Sequence, residues 1–457
     1  MLLLIAVAAC GNGDDGDDAP LRVPVIDSAS VAAGPHNVLS AVVDAWVRDA
    51  DSMAVPYGMG GGPLDSVTPA LAADVSRRLL PVLGLLPSTG YELRVVAWTR
   101  DTLVEGPPLP LVTGPLPPDL PRFTASGPDP LPGFVVFALG TRGLVIDNTG
   151  RVVWYRDLPG GPTLNFQAQP TGTYASSPVT AQAGDLAPWL ELDPLGNPVR
   201  RFGCARGLRS RFHEALLEPD GSYWLLCDET RTQDLTAFGG VANAQVTGTV
   251  AQHIDAAGAL RFEWNAFDHF LITDVDSASR AGPTVNWTHG NALDFDADGN
   301  LLLSFRSLSE VTKVDVRTGA VLWRMGGRRN QFAFDAPGAP FVRQHGVRSL
   351  GAGRLQLFDN LGEPGGSRAE RWEFDAAART ARRLAGYESA PATVTQLGGT
   401  TQPLPGGRML VAYGNGNRVE EYDAAGGVTW RIVGDPGYVF RAQRIWSLYA
   451  PGAGAPR

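Results

Sequence analysis

Apolar and polar residues alternate in short runs along most of the chain, and turn residues separate the runs. The stretch LSAVVDAWVRDADS, residues 39–52, alternates in this way, as does a strand with one buried face. Glycine (55 residues) and proline (36 residues) are spread through the chain rather than concentrated in one tract. Both residue types favour tight turns. The pattern predicts an all-β protein built from many short strands.

Two alternating half-repeats begin at about residue 120. The first is an aspartate-led turn followed by an aromatic or apolar strand, and its copies start at Asp147, Asp193, Asp255, Asp315, Asp375 and Asp423. The second is a strand, a glycine-containing turn and a strongly apolar strand, as in ALDFDADGNLLLSF. Weaker copies of it lie near Pro132-Gly133 and Thr171-Gly172. Six copies of each predict six four-stranded units of about 50 residues, the signature of a six-bladed β-propeller, with five or seven blades as alternatives.

The part of the chain before the repeats has a different rhythm. Residues 22–117 contain LLPSTGYELRVVAWTRD and a closing strand, which is typical of a small fibronectin type III-like β-sandwich with Tyr91 at a strand corner. We expect a spacer or packing role for it, and we assign residues 118–457 to the propeller. Two insertions, NAFDHFLITDVDSASRAGPTVNW and GGRRNQFAFDAPGAPFVRQ, lengthen the middle repeats and indicate binding loops on one face.

Residues 1–21 look like a targeting segment. MLLLIAVAAC resembles a bacterial lipoprotein signal in which Cys10 becomes the acylated first residue, although no Lys or Arg precedes the apolar core. GNGDDGDDAP would then be an acidic, flexible tether. We expect an exported, lipid-anchored protein of the periplasm or cell envelope; an ordinary apolar N-terminus with a chance cysteine is the alternative. In an oxidising compartment Cys204 and Cys227 could pair, or they could remain two buried thiols.

The charge distribution limits the partners. The formal net charge is −9, and Lys313 is the only lysine among 38 basic residues. Since no basic stripe exists, nucleic acid is not expected as a partner. No apolar run is long enough to span a bilayer, so membrane contact would come only through a lipid on Cys10. The sequence does not indicate an oligomeric state.

Three of the six histidines occupy equivalent places in consecutive repeats. They are His213 in RFHEALLEPDG, His289 in THGNALDFDADG and His345 in RQHGVRSLGAG. Equivalent positions in a propeller point towards the same mouth of the central channel, so these three residues should meet in space. Asn291 lies two residues after His289, on the same strand face, and Arg306 ends the following hairpin.

Together with these residues, HGN…LLLSFR, GAVLWRMGG, QHG and LFDN followed by SRAERWEFD resemble the bacterial arylsulfate sulfotransferase family. The resemblance covers roughly residues 120–457 and is firmest over 285–375. It implies an exported six-bladed propeller behind an N-terminal β-sandwich. It also implies sulfuryl transfer from an aryl sulfate to a phenol without a nucleotide donor or other cofactor.

The resemblance also implies roles for individual residues. His345 would attack sulfur and become sulfated, which predicts ping-pong kinetics. His289, Asn291 and Arg306 would hold the sulfuryl oxygens, or His289 would protonate the leaving phenolate. His213 would be a further substrate-binding histidine of that pocket. Aromatic walls for the phenol rings are expected from residues such as Trp287, Phe305 and Phe358.

Other interpretations compete with this one. Each histidine could be a packed structural residue, and the three together could bind zinc or copper. No Asp, Glu or Cys recurs at the same repeat position, however, and Arg306 would repel a cation, so no metal is expected. The Asp220-Gly221 and Asp298-Gly299 turns lack the dense ligand run of a calcium loop, and Asp359-Asn360 is interpreted as a structural turn. The alternative function is a catalytically silent envelope propeller that binds anions or acts as a scaffold.

Overall fold

The computed structural model describes residues 22–180, 184–335, 340–362 and 366–452. The chain divides into two compact units, Met1–Pro121 and Arg122–Arg457. Helix within the described ranges is restricted to one α-helix, Ala266–His269, and to 3-10 turns at Thr236–Phe238, Ile272–Asp274 and Pro405–Gly407. None of these is long and apolar enough to cross a membrane. The protein is therefore all-β, as predicted, while the predicted lipidation site at Cys10 lies outside the described residues.

The first unit consists of eleven described strands. They are β1 (Val25–Ala33), β2 (Ser40–Arg48), β3 (Ser52–Ala54), β4 (Pro56–Met59), β5 (Ser66–Val67), β6 (Leu71–Ala72), β7 (Arg77–Leu83), β8 (Gly90–Leu93), β9 (Val96–Trp98), β10 (Leu103–Glu105) and β11 (Leu109–Val112). Their sheets have the strand orders β1-β2-β7, β10-β9-β3-β6 and β11-β8-β4-β5. The alternating apolar residues of β2 are buried in one hydrophobic cluster, and the backbone N–H of Leu86 donates to the Tyr91 hydroxyl at 2.8 Å.

The second unit contains the remaining described strands. Its first half comprises β12 (Thr124–Ser126), β13 (Phe134–Leu139), β14 (Arg142–Ile146), β15 (Val152–Asp157), β16 (Thr163–Ala168), β17 (Tyr174–Pro178), β18 (Trp189–Leu192), β19 (Pro198–Phe202), β20 (Arg209–Leu217), β21 (Tyr223–Gln233), β22 (Ala244–Ile254), β23 (Leu260–Asn265) and β24 (Thr284–Asn286). Its second half comprises β25 (Gly290–Phe295), β26 (Leu301–Phe305), β27 (Glu310–Val314), β28 (Val321–Gly326), β29 (Ala333–Phe334), β30 (His345–Gly351), β31 (Arg354–Asp359), β32 (Arg368–Asp375), β33 (Thr380–Glu388), β34 (Thr400–Pro403), β35 (Met409–Ala412), β36 (Val419–Tyr422), β37 (Val428–Val433) and β38 (Ala442–Ile445).

These strands form a succession of antiparallel sheets whose inner strands close into a ring. The sheet orders, from the inner strand outwards, begin β38-β13-β14-β15, β16-β17-β18-β19, β20-β21-β22-β23, β25-β26-β27-β28, β30-β31-β32-β33 and β34-β35-β36-β37. Neighbouring inner strands lie beside one another from β16 through β20, β25, β30 and β34 to β38, which returns to β16. The two ends of the second unit are joined in this ring, since β38 joins the first sheet and β12 pairs with β37 of the last.

The aspartate-led half-repeat is the turn between the third and fourth strand of each sheet. In these turns the carboxylate accepts hydrogen bonds from backbone N–H groups that follow it; Asp255, for example, accepts from Ala257 and Ala259 at 2.9 and 2.8 Å. Aspartate favours such turns because its short side chain satisfies the local backbone. The tryptophans that follow, such as Trp154 and Trp430, are buried.

Two expectations from the repeats and cysteines can now be resolved. The faint copy near Pro132-Gly133 is not a hairpin turn between the first two strands of a sheet. It precedes β13, because the inner strand of that sheet is supplied by β38 from the other end of the chain. Cys204 and Cys227 form a disulfide.

Candidate functional site

Three imidazoles meet where the inner strands β20, β25 and β30 lie side by side. His345 is the first residue of β30, His289 directly precedes β25, and His213 lies within β20 where the pairing with β21 is irregular. The His213 ring centroid lies 5.0 Å from that of His289 and 6.5 Å from that of His345, and the His289 and His345 centroids are 6.4 Å apart. One ring nitrogen of each lies within 4.8 Å of the others. Residues 132 positions apart (345 − 213) thus lie together, and we call the space that the three rings border the pocket.

His345 is held through one ring nitrogen. Its Nδ1 lies 2.7 Å from Oδ1 of Asn360, and the imidazole is 2% exposed. The amide nitrogen of Asn360 donates to the carbonyls of Thr395 and Gly398, at 2.9 and 2.8 Å, which fixes the amide orientation. Oδ1 must therefore accept a hydrogen bond from Nδ1–H, and the lone pair of the neutral ring is on Nε2. Burial is the main cause that lowers the His345 pKa to about 4, so the ring is neutral at pH 7.

His289 occupies an unusual backbone conformation and has a different partner. Its φ is 51°, in the left-handed region that few non-glycine residues adopt. Nδ1 lies 2.7 Å from Nδ2 of Asn286, whose Oδ1 accepts a hydrogen bond from Arg211 at 3.3 Å. Burial holds the His289 pKa well below its ordinary value, and positive charge from Arg211 lowers it further.

His213 lies between aromatic rings. It stacks on Phe212 at 4.2 Å between centroids, and Phe440 packs edge-on at 5.6 Å. Its Nδ1 is buried and has no hydrogen-bond partner among the residues that the structure describes. Its carbonyl accepts from Arg441 at 2.9 Å. Burial holds the His213 pKa well below the ordinary value, so all three imidazoles are neutral at pH 7.

Arg306 brings an unneutralised charge to the pocket. It follows β26, and its Nη2 donates to the carbonyl of Gln396 at 3.2 Å, while its Nε is buried without a partner. Within the described ranges no carboxylate pairs with it. Burial and the nearby charge of Arg343 both lower the Arg306 pKa. The positive charges of Arg306, after β26, and Arg343, before β30, both act on His289, and they favour an anion there.

Asn291 lies in the pocket wall, and its side-chain amide is hydrogen-bonded to the backbone on both sides of His345. Its Nδ2 donates to the Gln344 carbonyl at 2.8 Å, and its Oδ1 accepts from the Gly346 N–H at 3.4 Å. It is 1% exposed. The amide therefore braces the chain on both sides of His345, and its contact with sulfuryl oxygens stays a prediction.

The predicted aromatic walls are wrong. Trp287 and Phe305 are buried in a hydrophobic cluster between sheets, and Phe358 packs against Tyr413 in another. Strands of this ring are buried on both faces, so an aromatic residue in the right strand can face a neighbouring sheet instead of the pocket. The aromatic rings that do touch the imidazoles are those of Phe212 and Phe440, and the half-buried Tyr438 acts electrostatically on Arg306.

Comparison with protein families gives a match over the part of the chain that contains these residues. Residues 208–435 match the family model described as arylsulfotransferase (ASST). This part of the chain belongs to the arylsulfotransferase family. The arylsulfotransferase region includes all three histidines, Arg306 and both asparagines that contact imidazole nitrogens. Phe440 and Arg441 lie just beyond it.

Several solved structures are distantly similar to the chain, and no curated protein matches it. A protein of unknown function from Bacteroides caccae is 13% identical, with 65% of this chain and 93% of that chain covered and a TM-score of 0.40. A streptogramin B lyase is 10% identical, with 68% and 87% covered and a TM-score of 0.37. The Dos1 propeller is 10% identical, with 67% and 69% covered and a TM-score of 0.32. No inference about activity rests on them.

Two asparagines that contact the imidazoles were missed or misjudged from the sequence. Asn360 was interpreted as a structural turn residue, yet it holds His345. The pairing of β30 with β31 places Phe358 opposite His345, so the end of LFDN was the available signal. Asn286 had no comparable signal, because its contact with His289 is made where the backbone of His289 itself is left-handed.

Proposed function

We propose that the second unit is a six-bladed β-propeller that transfers a sulfuryl group from an aryl sulfate to a phenol through a sulfohistidine at His345. One observation carries the proposal. A buried, neutral histidine with a free Nε2 lone pair lies in a pocket with an arginine that has no carboxylate partner. The family membership of residues 208–435 supports the same chemistry.

The nucleophile is the unprotonated Nε2 of His345. Because Asn360 holds the proton on Nδ1, the ring needs no base before it attacks, and the attacking nitrogen is fixed in direction. In the first half-reaction a bond forms between Nε2 and sulfur, and the bond between sulfur and the aryl oxygen breaks. The electron pair of that bond leaves with the aryloxide, and the sulfated ring keeps its proton on Nδ1.

The second half-reaction reverses the first with a new phenolate. The acceptor oxygen forms a bond with sulfur, the bond from sulfur to Nε2 breaks, and the lone pair returns to His345. The acceptor must enter without its proton, and the cationic pocket formed by Arg306 and Arg343 favours the phenolate. The acceptor gives its proton to solvent, and the aryloxide released in the first half-reaction takes one from solvent, so no cofactor is consumed.

The arginines would also hold the sulfuryl group. Sulfuryl transfer resembles phosphoryl transfer in that the protein mainly positions groups and stabilises charge. The fork of Arg306 has donors for more than one oxygen, and its buried Nε lacks a protein acceptor that a sulfuryl oxygen would provide. Phe212, half-buried and stacked on His213, and Tyr438 are the candidate walls for the aryl rings.

A metal site would fit these residues less well. The three imidazoles lie close enough for coordination, but the group contains no carboxylate or thiolate ligand. Arg211, Arg306 and Arg343 add positive charge around His289, which opposes a bound cation. Elemental analysis of the purified protein is expected to find no stoichiometric zinc or copper.

The surroundings of the catalytic unit are also proposals. The Cys204–Cys227 disulfide supports an oxidising compartment, in agreement with export to the periplasm or cell envelope. Tyr91, whose hydroxyl accepts a backbone hydrogen bond from five residues upstream, supports a fibronectin type III-like sandwich before the propeller. Acylation at Cys10 would anchor the protein to the membrane.

Transfer from a chromogenic aryl sulfate to a phenol tests the proposed function. Wild-type protein should release the chromogenic phenol and form the new aryl sulfate without added nucleotide or metal, with ping-pong kinetics. His345→Ala should lower the rate at least about 1,000-fold. Binding of the aryl sulfate without turnover by wild-type protein would instead indicate the silent binding module.

A further inference from the structure

Asn286 and Arg211 lie beside the pocket and have no role in the chemistry described so far. Asn286 is the last residue of β24, a short strand that pairs in parallel with β22. Its Nδ2 lies 2.7 Å from Nδ1 of His289, and Oδ1 accepts from Nη2 of Arg211 at 3.3 Å. Arg211 is itself paired with the buried Asp228. The amide of Asn286 is thus held between a permanent donor and an imidazole.

This contact leaves one arrangement of protons. Arg211 can only donate, so the atom of Asn286 that faces it must be the oxygen. The other atom, the NH2 group, then donates to Nδ1 of His289. A neutral imidazole that accepts at Nδ1 carries its proton on Nε2. His345 has the opposite arrangement, because Asn360 presents its oxygen to Nδ1.

We infer that Asn286, fixed by Arg211, is a positioning residue that makes His289 present an Nε2–H to the reacting group, opposite the Nε2 lone pair of His345. Two asparagines thereby give two neighbouring histidines opposite tautomers. The inference rests on the proposed function for its catalytic meaning, while the tautomers themselves do not depend on it.

For the reaction, this tautomer decides whether His289 gives a proton to the leaving group or only donates a hydrogen bond to it. A neutral imidazole donates a hydrogen bond readily but does not give up its remaining proton, so His289 does not act as a proton donor. It acts as neutral histidines do when they polarise an oxygen in other enzymes. In a loose transition state negative charge develops on the departing aryl oxygen, where such an N–H stabilises most.

Asn286→Asp tests the assignment, because a carboxylate accepts but cannot donate. In this variant His289 must place a proton on Nδ1, whereas Asn286→Ala removes the contact without adding charge. Asn360→Asp is the matched control, since a carboxylate there still accepts from Nδ1 of His345. Each variant is first checked for a thermal transition that matches that of the wild-type protein. If an aspartate variant does not fold, the result for Asn286→Ala decides whether the inference holds.

The first measurement is nitrogen NMR of the full chain labelled with 15N-histidine, without substrate, with His289 assigned from a His289→Gln variant. We expect protonated Nε2 in His289 and protonated Nδ1 in His345. Asn286→Asp should move the His289 proton to Nδ1 or protonate both nitrogens, and Asn286→Ala should leave a mixture of tautomers. A wild-type His289 protonated on Nδ1 would overturn the inference, even if the protein proves inactive.

The second measurement uses aryl sulfates whose leaving phenols differ in acidity. Asn286→Asp should slow donors with weakly acidic phenols about 100-fold and the 4-nitrophenyl donor less than about 10-fold. An equal loss for all donors would overturn the assigned role at the departing oxygen. Absence of transfer by wild-type protein would refute the proposed function and leave the NMR result to decide the tautomers.

Discussion

Two layers of residues around the same inner strands differ in whether their arginines are paired with a carboxylate. In the histidine layer Arg306 has no carboxylate partner among the described residues, and its Nε is buried without an acceptor. Glu214 lies one residue after His213, and Arg348 lies three residues after His345. These two side chains form an ion pair at 2.8 Å. Arg441 joins the same carboxylate at 3.1 Å. These three residues border a cavity of about 450 Å³.

The difference separates structure from function within one ring of strands. A buried charge without a partner is costly, so a fold normally neutralises it, as Glu214 does for two arginines. Where the pairing is left incomplete next to a neutral nucleophile, an anionic substrate can complete it. The proposed function therefore assigns the reaction to the histidine layer, whereas the Glu214 layer (Glu214, Arg348 and Arg441) is a structural cross-link between strands.

Removal of Arg306 should have the largest effect on this contrast. Arg306→Ala is expected to lower kcat/KM for sulfuryl transfer about 1,000-fold, since a preorganised charge next to the sulfuryl group is lost. Arg306→Lys should recover part of the rate, because it keeps the charge but loses the fork. Arg317→Ala, at a side chain that is 87% exposed, is the control. An Arg306→Ala variant with wild-type kinetics would remove the distinction between the layers.

Removal of the shared carboxylate should affect stability instead. Glu214→Gln leaves Arg441 buried without its counter-charge and Arg348 with only the nearby carboxyl of Asp294. We expect the free energy of unfolding to fall by about 3 kcal/mol. Denaturant titration would measure this. The exposed pair of Glu373 and Arg382 provides the matched control, and Glu373→Gln should cost less than about 1 kcal/mol. Equal losses in both variants would contradict the structural role.

The pH dependence follows from the pKa of His345, which burial lowers to about 4. The ring is reactive when neutral, so the burst of phenol release should persist down to about pH 4 and disappear below it. Between pH 4 and the ordinary value of about 6.5, the unfolded chain binds a proton that the folded chain does not. Stability should therefore decrease as the pH falls through that window. A burst that is lost near pH 6.5 would place His345 in contact with solvent.

The smallest effect on the transfer rate is expected for substitution of Asn291, which lies between the two layers. Asn291→Ala removes the brace on the backbone of Gln344 and Gly346 and should destabilise the protein by about 1–2 kcal/mol. Transfer should slow roughly 10-fold, because the position of His345 is relaxed while its chemistry is intact. Stopped-flow measurement of the burst separates this from loss of folded protein. A loss as large as that of Arg306→Ala would mean that Asn291 contacts the sulfuryl group directly.

The sequence alone was sufficient to predict those features of the fold and of the site that the repeats determine. Equivalent repeat positions predicted that His213, His289 and His345 would meet, and the structure brings them together because the inner strands form a closed ring. The aspartate-led turns could also be predicted, because each is a local structure with its own hydrogen bonds.

What escaped prediction depends on side-chain direction and on contacts outside the repeats. Trp287 and Phe358 appeared suitable as pocket walls, but strands buried on both faces give no sign of which face points to the channel. Asn360 holds His345 through an amide whose orientation is fixed by carbonyls of a loop more than 30 residues away. Tyr438 and Phe440 lie after the last aspartate-led strand, where no repeat position marks them.

The most direct test of the account is to trap the intermediate. Wild-type protein mixed with an aryl sulfate without acceptor, quenched in alkali and digested, should yield one sulfuryl group per chain on the peptide that contains His345. Addition of a phenol before the quench should remove it. A sulfuryl group on His213 or His289, or its absence from a protein that still catalyses transfer, would contradict the account.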